Sequence, residues 1–406
     1  MPGQLPDGEP VPVDGALPES ALAAVGTRGF GVYVHVPFCA TRCGYCDFNT
    51  YTAAELGGGA SRQSYPKTVI EELRLARQVL GPVPLPVRTV FFGGGTPTLL
   101  PAGDLVAILR AIDDEFGLAA DAEVSTEANP ESVDAGYLEQ LRAGGFTRMS
   151  FGMQSAVPHV LAVLDRVHSP GRPAECVAWA RAAGFEHVNL DLIYGTPGES
   201  DADWRRSLAA AVAAGPDHVS GYALIVEDGT RLAGRIRRGE LPMPDDDVLA
   251  DRYLLADELL SGAGFGWYEV SNWATSDAAR CRHNLLYWTG GDWWGAGPGA
   301  HSHVGGTRWW NVKHPAAYTE RLASGHSPAL AREVLDDESR RLERVLLGLR
   351  VDTGHPLADL RPDGRAAAGR AVESGLLTAD GYAAGRAVLT LRGRLLADAV
   401  VRDLTD

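Results

Sequence analysis

Short apolar runs alternate with amphipathic stretches along the chain from about residue 31 to residue 227. The runs are rich in Val, Ile, Phe and Tyr, and most end at Gly, Pro or a polar residue, which is typical of buried parallel strands. The stretches between them have helical spacing, and several end at Gly, a natural helix C-cap. Six strands are predicted in this way: GVYVHVPF, RTVFFGGG, AEVSTEANP, TRMSFGMQS, HVNLDLIYG and HVSGYALIVE.

This strand–helix repeat predicts an α/β fold in which a parallel sheet is covered by helices. The sheet is either doubly wound and open, or wrapped into a barrel or partial barrel, and periodicity does not separate these options. In both architectures the loops at the carboxyl ends of the strands carry the chemistry. Functional side chains are therefore expected just after each apolar run.

The pattern changes after about residue 228. A long helix is predicted over DDDVLADRYLLADELLSGAGF, and an aromatic, Gly-rich stretch follows it, with seven of the nine tryptophans between Trp267 and Trp310. Arg-rich amphipathic segments then indicate a small helical, winged-helix-like C-terminal domain. The predicted divisions are a tail (1–28), the strand–helix domain (29–265), an aromatic connecting segment (266–330) and the C-terminal domain (331–406).

Composition and charge exclude several classes of function. No apolar run reaches the ~18 residues of a membrane span, so no stable membrane insertion is expected. The formal net charge of −15 argues against nucleic-acid binding, which needs basic surfaces. The acidic tail, rich in Pro and Gly, lacks the features of a secretory signal and is predicted to be disordered. Five cysteines, three of them clustered, indicate metal binding in a reducing cytoplasm.

The three clustered cysteines, Cys39, Cys43 and Cys46, have the spacing C-x3-C-x2-C on the loop that leaves the first predicted strand. Three thiolates on a short loop can hold one face of an iron–sulfur cube and leave the fourth iron open to another molecule. A structural zinc site would need a fourth Cys or His nearby. The loop offers none, and His35 is expected to be packed within the strand.

The cysteine spacing, with an aromatic residue before the third Cys, resembles the signature of the radical S-adenosylmethionine (SAM) superfamily. The resemblance implies a [4Fe–4S] cluster whose open iron chelates SAM, and a (β/α)6 partial barrel. VYVHVPFCATRCGYCDFNTY, FFGGGTPTLL, MSFGMQS, LDLIYGTPGE and HNLLYW together resemble the family of oxygen-independent coproporphyrinogen III dehydrogenase and the HemW haem chaperones. This wider resemblance extends from about residue 31 to the C-terminus.

Several residues at the ends of the predicted strands are candidates for SAM binding. The GGGT turn could be only a tight turn, and Glu127 only a surface or N-cap carboxylate. Burying Asp191 between two leucines is costly without partners, so it has either a binding role or a structural pair with Arg166. The resemblance implies SAM contacts for the whole set: Tyr33, Tyr45, Gly94, Gly95, Thr96, Glu127, Gln154, Arg166 and Asp191.

The aromatic segment contains H-N-x-x-Y-W, formed by His283, Asn284, Tyr287 and Trp288. A neutral imidazole can ligate haem iron, and flat aromatic rings suit a porphyrin face. From chemistry alone, a buried core histidine is the stronger interpretation. The motif resembles the one that marks the HemW family, which implies haem binding through His283. Cys281 is an alternative ligand, although a small buried residue is the simpler interpretation.

Two functions from different classes compete. The enzyme of the resembled family decarboxylates two propionates of coproporphyrinogen III, whereas its HemW relatives carry haem to acceptor proteins. The dehydrogenase has a further cysteine two residues after the third, where this chain has Phe48, and it has a longer ordered N-terminal segment. Together with HNLLYW, these differences favour a haem chaperone over an enzyme. Haem and haem-acceptor proteins are the expected partners, and a homodimer is left open.

Overall fold

The structure is a computed structural model that describes residues 7–166, 168–169 and 171–405. Fifteen strands lie in the described chain, thirteen of them in one mixed sheet that does not close into a barrel. Their bounds are β1 (Glu9–Pro10), β2 (Phe30–Val36), β3 (Val87–Gly94), β4 (Leu118–Ala128), β5 (Arg148–Gln154), β6 (His187–Tyr194), β7 (His218–Ala223), β8 (Gly266–Glu269), β9 (Asn272–Ala274), β10 (Asp292–Ala296), β11 (His301–Val304), β12 (Thr307–Asn311), β13 (Ala329–Val334), β14 (His355–Pro356) and β15 (Arg386–Ala387).

Sixteen α-helices accompany the strands in the described residues. They are α1 (Glu19–Leu22), α2 (Tyr65–Leu80), α3 (Ala102–Phe116), α4 (Ala135–Ala143), α5 (Pro158–Val163), α6 (Arg172–Ala183), α7 (Asp201–Ala213), α8 (Arg231–Arg237), α9 (Asp246–Gly262), α10 (Arg282–Trp288), α11 (Pro315–Ala323), α12 (Asp337–Gly348), α13 (Pro362–Glu373), α14 (Ala379–Ala383), α15 (Leu391–Leu395) and α16 (Ala397–Thr405).

The six predicted parallel strands are confirmed as β2 to β7, which lie side by side in chain order. Six of the seven residues of β2 are buried, as expected for a strand covered on both faces. Between the strands, helices form where the sequence supplies both an apolar face and a cap. At α7, for example, Ser200 and Asp203 form a reciprocal capping box, and Trp204 is fully buried behind it.

The aromatic segment extends the sheet at both ends. Strand β10 runs parallel to β2, so Gly295 lies opposite Tyr33, and β11, β12 and β13 continue outward as an antiparallel meander. Strands β8 and β9 add to the other side through an antiparallel pair with β7. The carboxyl end of β10 therefore lies beside the carboxyl end of β2, where the cysteine loop begins.

A buried carboxylate holds the turn after β10 in place. Glu72 of α2 is fully buried and accepts hydrogen bonds from the Gly297 N–H (2.7 Å) and from Asn311 Nδ2 (2.8 Å). The Tyr318 hydroxyl and the Trp294 indole also donate to it. With four donors facing one carboxylate, the position and direction of this turn are fixed by α2.

The prediction that residues 1–28 form a disordered tail is wrong for residues 7–28, while residues 1–6 lie outside the described chain. Strand β1 pairs antiparallel with β13, and Arg332 bonds the Glu9 carboxylate at 2.7 Å. Further along, Leu17, Ala21 and Val25 pack into the main core. A few apolar residues with tertiary partners thus order a segment whose composition suggested disorder.

The C-terminal residues have a core of their own. Val345, Leu349, Ala368 and Leu389 belong to a second buried cluster, formed mainly by α12, α13 and α16 beside the β14–β15 pair. This helical unit with a two-stranded sheet matches the predicted winged-helix-like end of the chain. The boundary predicted at residue 331 falls inside β13, so the change of architecture comes a few residues later.

Candidate functional site

The loop after β2 carries Cys39, Cys43 and Cys46 and is fixed by main-chain hydrogen bonds. The Cys39 N–H donates to the Tyr51 carbonyl at 3.0 Å, which closes the base of the loop. Near the tip, the Gly44 N–H donates to Leu164, and the Gly44 carbonyl accepts from Leu232 at 2.8 Å. A Cβ on Gly44 would lie 2.4 Å from an Asp165 carboxylate oxygen, so a larger residue here would have to displace the Asp165 side chain.

The three thiols fit an iron–sulfur cube better than a single metal ion. All three side chains are partly buried on one loop, and all five cysteines are free. In the described residues, no group of three or more His, Cys, Asp and Glu side chains converges on one point. A cube does not need such convergence, because each thiolate bonds a different iron. Burial raises the pKa of Cys46 to about 11, so binding a cluster here would release protons.

Arg166 reaches the cysteine loop from the end of α5. Its Nη1 lies 3.6 Å from Cys43 Sγ, and its Nη2 donates to the Gly152 carbonyl at 2.8 Å. The alternative of a structural Arg166–Asp191 pair is not observed, since both side chains have other partners. A guanidinium in this place provides positive charge beside a thiolate ligand.

Gln154 ends β5 in a left-handed conformation, with φ of +62°. This φ is uncommon for a residue other than glycine and coincides with an irregularity in the β5–β6 register between Gly152 and Gln154. A Cβ on Gly152 would lie 2.8 Å from Gln154 Nε2 and from Arg166 Nη2. Local strain at the carboxyl end of a strand is frequent at binding sites.

Glu127 lies near the carboxyl end of β4 and Asp191 lies within β6, and the two carboxylates line one cavity. Glu127 accepts from the Gly94 N–H at 3.2 Å, and Asp191 accepts from Ser150 (2.8 Å) and Asn189 (2.7 Å). Burial, together with the charge of Asp191, raises the pKa of Glu127 to about 8. Burial also raises the pKa of Asp191. A ligand that donates hydrogen bonds to these oxygens would favour their ionised form and lower both pKa values.

Ser150 and Asn189 were not predicted as members of the site. They lie in β5 and β6 at the same register as each other, and both hydrogen-bond to Asp191. Polar residues at alternate positions of otherwise buried strands were the available sequence signal. Because these hydrogen bonds join residues of neighbouring strands, the network could be identified only once the fold was known.

The GGGT turn packs against the cysteine loop. The Gly95 N–H donates to Val36, and the Thr96 N–H donates to the Phe38 carbonyl at 2.7 Å. A Cβ on Gly95 would lie 2.4 Å from that carbonyl oxygen, and Gly94 has φ of +110°. The glycines are thus required by packing, as in the tight-turn interpretation, and a SAM contact through them stays a prediction.

Of the two predicted tyrosines, Tyr33 lies in β2 and Tyr45 lies within the cysteine loop. The Tyr33 hydroxyl lies 3.0 Å from His35 Nδ1, and the His35 Nε2 lies 2.9 Å from the Asn49 carbonyl. His35 is thus packed within the strand, as expected. Tyr45, within the loop, packs on the small apolar cluster that includes Leu164, and burial raises its pKa. Tyr45 is thus next to the cysteines, whereas Tyr33 lines both cavities described below.

Two cavities open at this edge of the sheet. The smaller, of about 180 Å³, is lined by Glu127, Asp191, His218 and His283, among others. The larger, of about 460 Å³, is lined by Phe48, Trp293 and His301, among others. Tyr33, Glu127 and Tyr287 line both cavities, so the two spaces are neighbours separated by these side chains.

His283 is a buried histidine with both ring nitrogens hydrogen-bonded. Its Nδ1 lies 2.9 Å from Thr89 Oγ1 and its Nε2 lies 2.8 Å from the Tyr287 hydroxyl. Burial lowers its pKa to about 3. This geometry is the one expected of a core histidine, and ligation of haem by His283 stays a prediction. Cys281 and Cys176 are both buried.

Comparison with known proteins identifies the family to which this chain belongs. Residues 33–211 match the model of the radical SAM superfamily. The heme chaperone HemW of Mycobacterium tuberculosis is 58% identical over 383 residues, which cover 94% of this chain and 96% of that protein. The chain belongs to the HemW family. The recognition made from its motifs is thereby confirmed.

More distant members of the family support the same assignment. The HemW heme chaperone of Escherichia coli is 35% identical over 67% of this chain and 70% of its own length. The radical S-adenosyl methionine domain-containing protein 1 of Bos taurus mitochondria is 37% identical over 82% of this chain and 75% of that protein. As a radical SAM protein of the HemW family, the chain has a [4Fe–4S] cluster and SAM as its family cofactors.

The overall fold matches a solved relative outside the HemW proteins. The coproporphyrinogen III oxidase HemN from Escherichia coli superposes with a TM-score of 0.81 over 95% of this chain and 92% of its own. At 22% identity, this similarity confirms the α/β radical SAM fold alone. No helix of the described residues is long and apolar enough to cross a membrane.

Proposed function

We propose that this protein is a haem chaperone, which binds haem and transfers it to acceptor proteins, and which also carries a SAM-chelating [4Fe–4S] cluster. The observation that carries the proposal is the 58% identity with a HemW haem chaperone over nearly the full length of both chains. Phe48 adds to it, because this position holds a further cysteine in the porphyrin-forming relative. The exposed Phe48 ring lines the larger cavity.

The cluster would be held by Cys39, Cys43 and Cys46, and its open iron would chelate SAM, which supplies radical chemistry when an electron reaches it. The chain's own residues bind and orient SAM. Glycine main-chain groups at positions 94 and 95 approach it closely, and the carboxylates of Glu127 and Asp191 accept from its hydroxyl or amino groups. Tyr33, Tyr45, Thr96, Gln154 and Arg166 complete the set.

Several finer points belong to the same proposal. Free thiols throughout the described cysteines favour a reducing compartment, the cytoplasm. Haem is the cargo, acceptor proteins are the partners, and no radical catalysis is required for the transfer. The competing function is oxidative decarboxylation of coproporphyrinogen III, which the carboxylate pair and Arg166 at the cysteine loop leave chemically feasible.

The test uses the full chain, purified without oxygen. We expect cluster absorbance that is lost in Cys39→Ala, Cys43→Ala or Cys46→Ala and kept in the matched Cys176→Ala control. Ferric haem should bind with a saturable change of absorbance, and the loaded protein should pass haem to apomyoglobin. No haem binding, together with conversion of coproporphyrinogen III to protoporphyrinogen IX, would overturn the proposal in favour of the enzyme.

A further inference from the structure

Four histidines line the two cavities, and three of them have no nitrogen available for a ligand. The ring nitrogens of His35 are bonded to Tyr33 and to the Asn49 carbonyl. Those of His218 contact Asn189 Oδ1 at 2.7 Å and the Tyr268 hydroxyl at 2.8 Å. Those of His283 are bonded to Thr89 and Tyr287. Ligation of a metal by any of these three would first break a buried hydrogen bond.

His301 is the exception. Its ring makes no hydrogen bond within the part of the chain that the structure describes, and the residue is partly open to solvent at the larger cavity. The imidazole stacks on Trp310, with ring centroids 5.9 Å apart and an angle of 28°, which orients it. Partial burial and the charges of Lys313 and Arg308 lower its pKa, so the neutral ring with a free lone pair prevails near pH 7.

The fold brings His301 to the cysteine loop. Strand β10 lies beside β2, and the turn 297–300 returns from its carboxyl end to place His301 at the start of β11. The buried Glu72 carboxylate accepts a hydrogen bond from the Gly297 N–H of that turn. From the cysteine loop, Asn49 Nδ2 donates to the Pro298 carbonyl (2.9 Å) and to the Lys313 carbonyl (2.8 Å). The histidine is thus presented by a rigid hairpin.

The cavity beside His301 suits a flat apolar molecule. Its volume of about 460 Å³ lies within the range of roughly 300–1,000 Å³ of cofactor-sized pockets, whereas the cavity at His283 has only about 180 Å³. Aromatic rings of Tyr33, Phe48, Tyr287 and Trp293 line it. Phe48 is 60% exposed, so an apolar ring stands uncovered at the cavity.

From this juxtaposition we propose that His301 is the axial ligand of the haem cargo, which lies in the larger cavity between Phe48 and Trp293. The inference rests on the proposed haem-chaperone function and deepens it. It assigns the iron to a histidine of the Gly-rich hairpin rather than to His283. In this arrangement His283 is a positioning residue, which orients Tyr287 in the wall shared by the two cavities.

The test compares three histidine variants of the full chain, titrated with ferric haem under anaerobic conditions. His301→Ala should lose the absorbance and electron-paramagnetic-resonance signature of a histidine-ligated haem and bind about tenfold more weakly or worse. Added imidazole should restore the signature in this variant. The exposed control His326→Ala should keep both the wild-type signature and the wild-type affinity. His283→Ala should keep the signature of a histidine-ligated haem even where its affinity falls, because Tyr287 loses a hydrogen-bond partner. Unchanged near-ultraviolet circular dichroism checks the folding of each variant.

The results of this titration distinguish the assignment of His301 as the haem ligand from the haem-chaperone function. If wild-type protein binds haem and His301→Ala gives the same spectrum and affinity, the ligand assignment is overturned while the haem-chaperone function stands. The same conclusion follows if His283→Ala alone loses the signature in a folded protein and imidazole restores it. If wild-type protein binds no haem at all, the proposed function fails and the assignment fails with it.

Discussion

The buried carboxylate of Glu127, beside Asp191, should destabilise the native protein when it is ionised. The pKa of its side chain rises from 4.5 to about 8, chiefly through burial and then through the charge of Asp191. One pKa step corresponds to about 1.4 kcal/mol, so keeping this carboxylate ionised in the native state costs up to ~5 kcal/mol. Since Glu127 borders both cavities and is partly exposed to solvent, we expect a measured cost of ~2 kcal/mol.

The direction of the pH dependence of stability follows from the pKa of Glu127 in the unfolded chain and in the native protein. The unfolded chain ionises Glu127 near pH 4.5 and the native protein near pH 8, so the wild-type free energy of unfolding falls across this window. Glu127→Gln removes the charge and this dependence. The variant should therefore match wild type near pH 4.5 and exceed its free energy of unfolding by ~2 kcal/mol above pH 8. Urea denaturation at these two pH values, without SAM, measures the difference.

The exposed Glu139→Gln variant serves as the matched control, and its stability should stay within ~0.5 kcal/mol of wild type at both pH values. In a second arm, SAM should stabilise wild type more than Glu127→Gln, because a hydrogen bond to a charged group contributes ~1.5–3 kcal/mol. A gain in stability that is equal at both pH values, or no gain above pH 8, would refute the reasoning.

Two further predictions concern packing around the site. Glu72→Met leaves four buried donors without an acceptor, so it should lower the free energy of unfolding by at least ~3 kcal/mol, whereas Met at the exposed neighbour Glu71 should cost little. Gly95→Ala places a Cβ 2.4 Å from the Phe38 carbonyl oxygen and should impair both folding and cluster retention. Gly103→Ala, with open space around it, should be neutral or stabilising by up to ~1 kcal/mol. Thermal unfolding of each variant beside its control, Glu72 with Glu71 and Gly95 with Gly103, measures these differences.

The parallel part of the sheet could be predicted from the sequence because its signals are local. Strands buried on both faces show as continuous apolar runs, and β2 to β7 all coincide with predicted runs. The aromatic segment has no such periodicity. Its strands, among them β10 and β11, are set by tertiary partners such as Glu72 and Asn49, which no local pattern reveals.

The place of the candidate residues in the fold was predictable, whereas their roles in cluster and SAM binding stay predictions. The cysteines, the glycine turn and the two carboxylates all lie at the carboxyl edge of the sheet, where a parallel sheet requires them. Which histidine keeps a ring nitrogen without a hydrogen bond was not predictable. Thr89 and Tyr287 occupy the nitrogens of His283, and Thr89 lies 194 residues away in the chain, whereas His301 meets no such partner among the described residues.

The short first strand protects an open sheet. An unclosed sheet has two free edges, and an exposed edge invites pairing between molecules and aggregation. At one edge, β1 covers β13 with two residues, of which Pro10 has no N–H to offer a further strand. At the other, residues 350–352 bond to the β8 segment. Trimming the N-terminal residues as a dispensable tail would uncover β13, with its exposed Leu330 and Val334, and the cost would be solubility rather than cofactor binding.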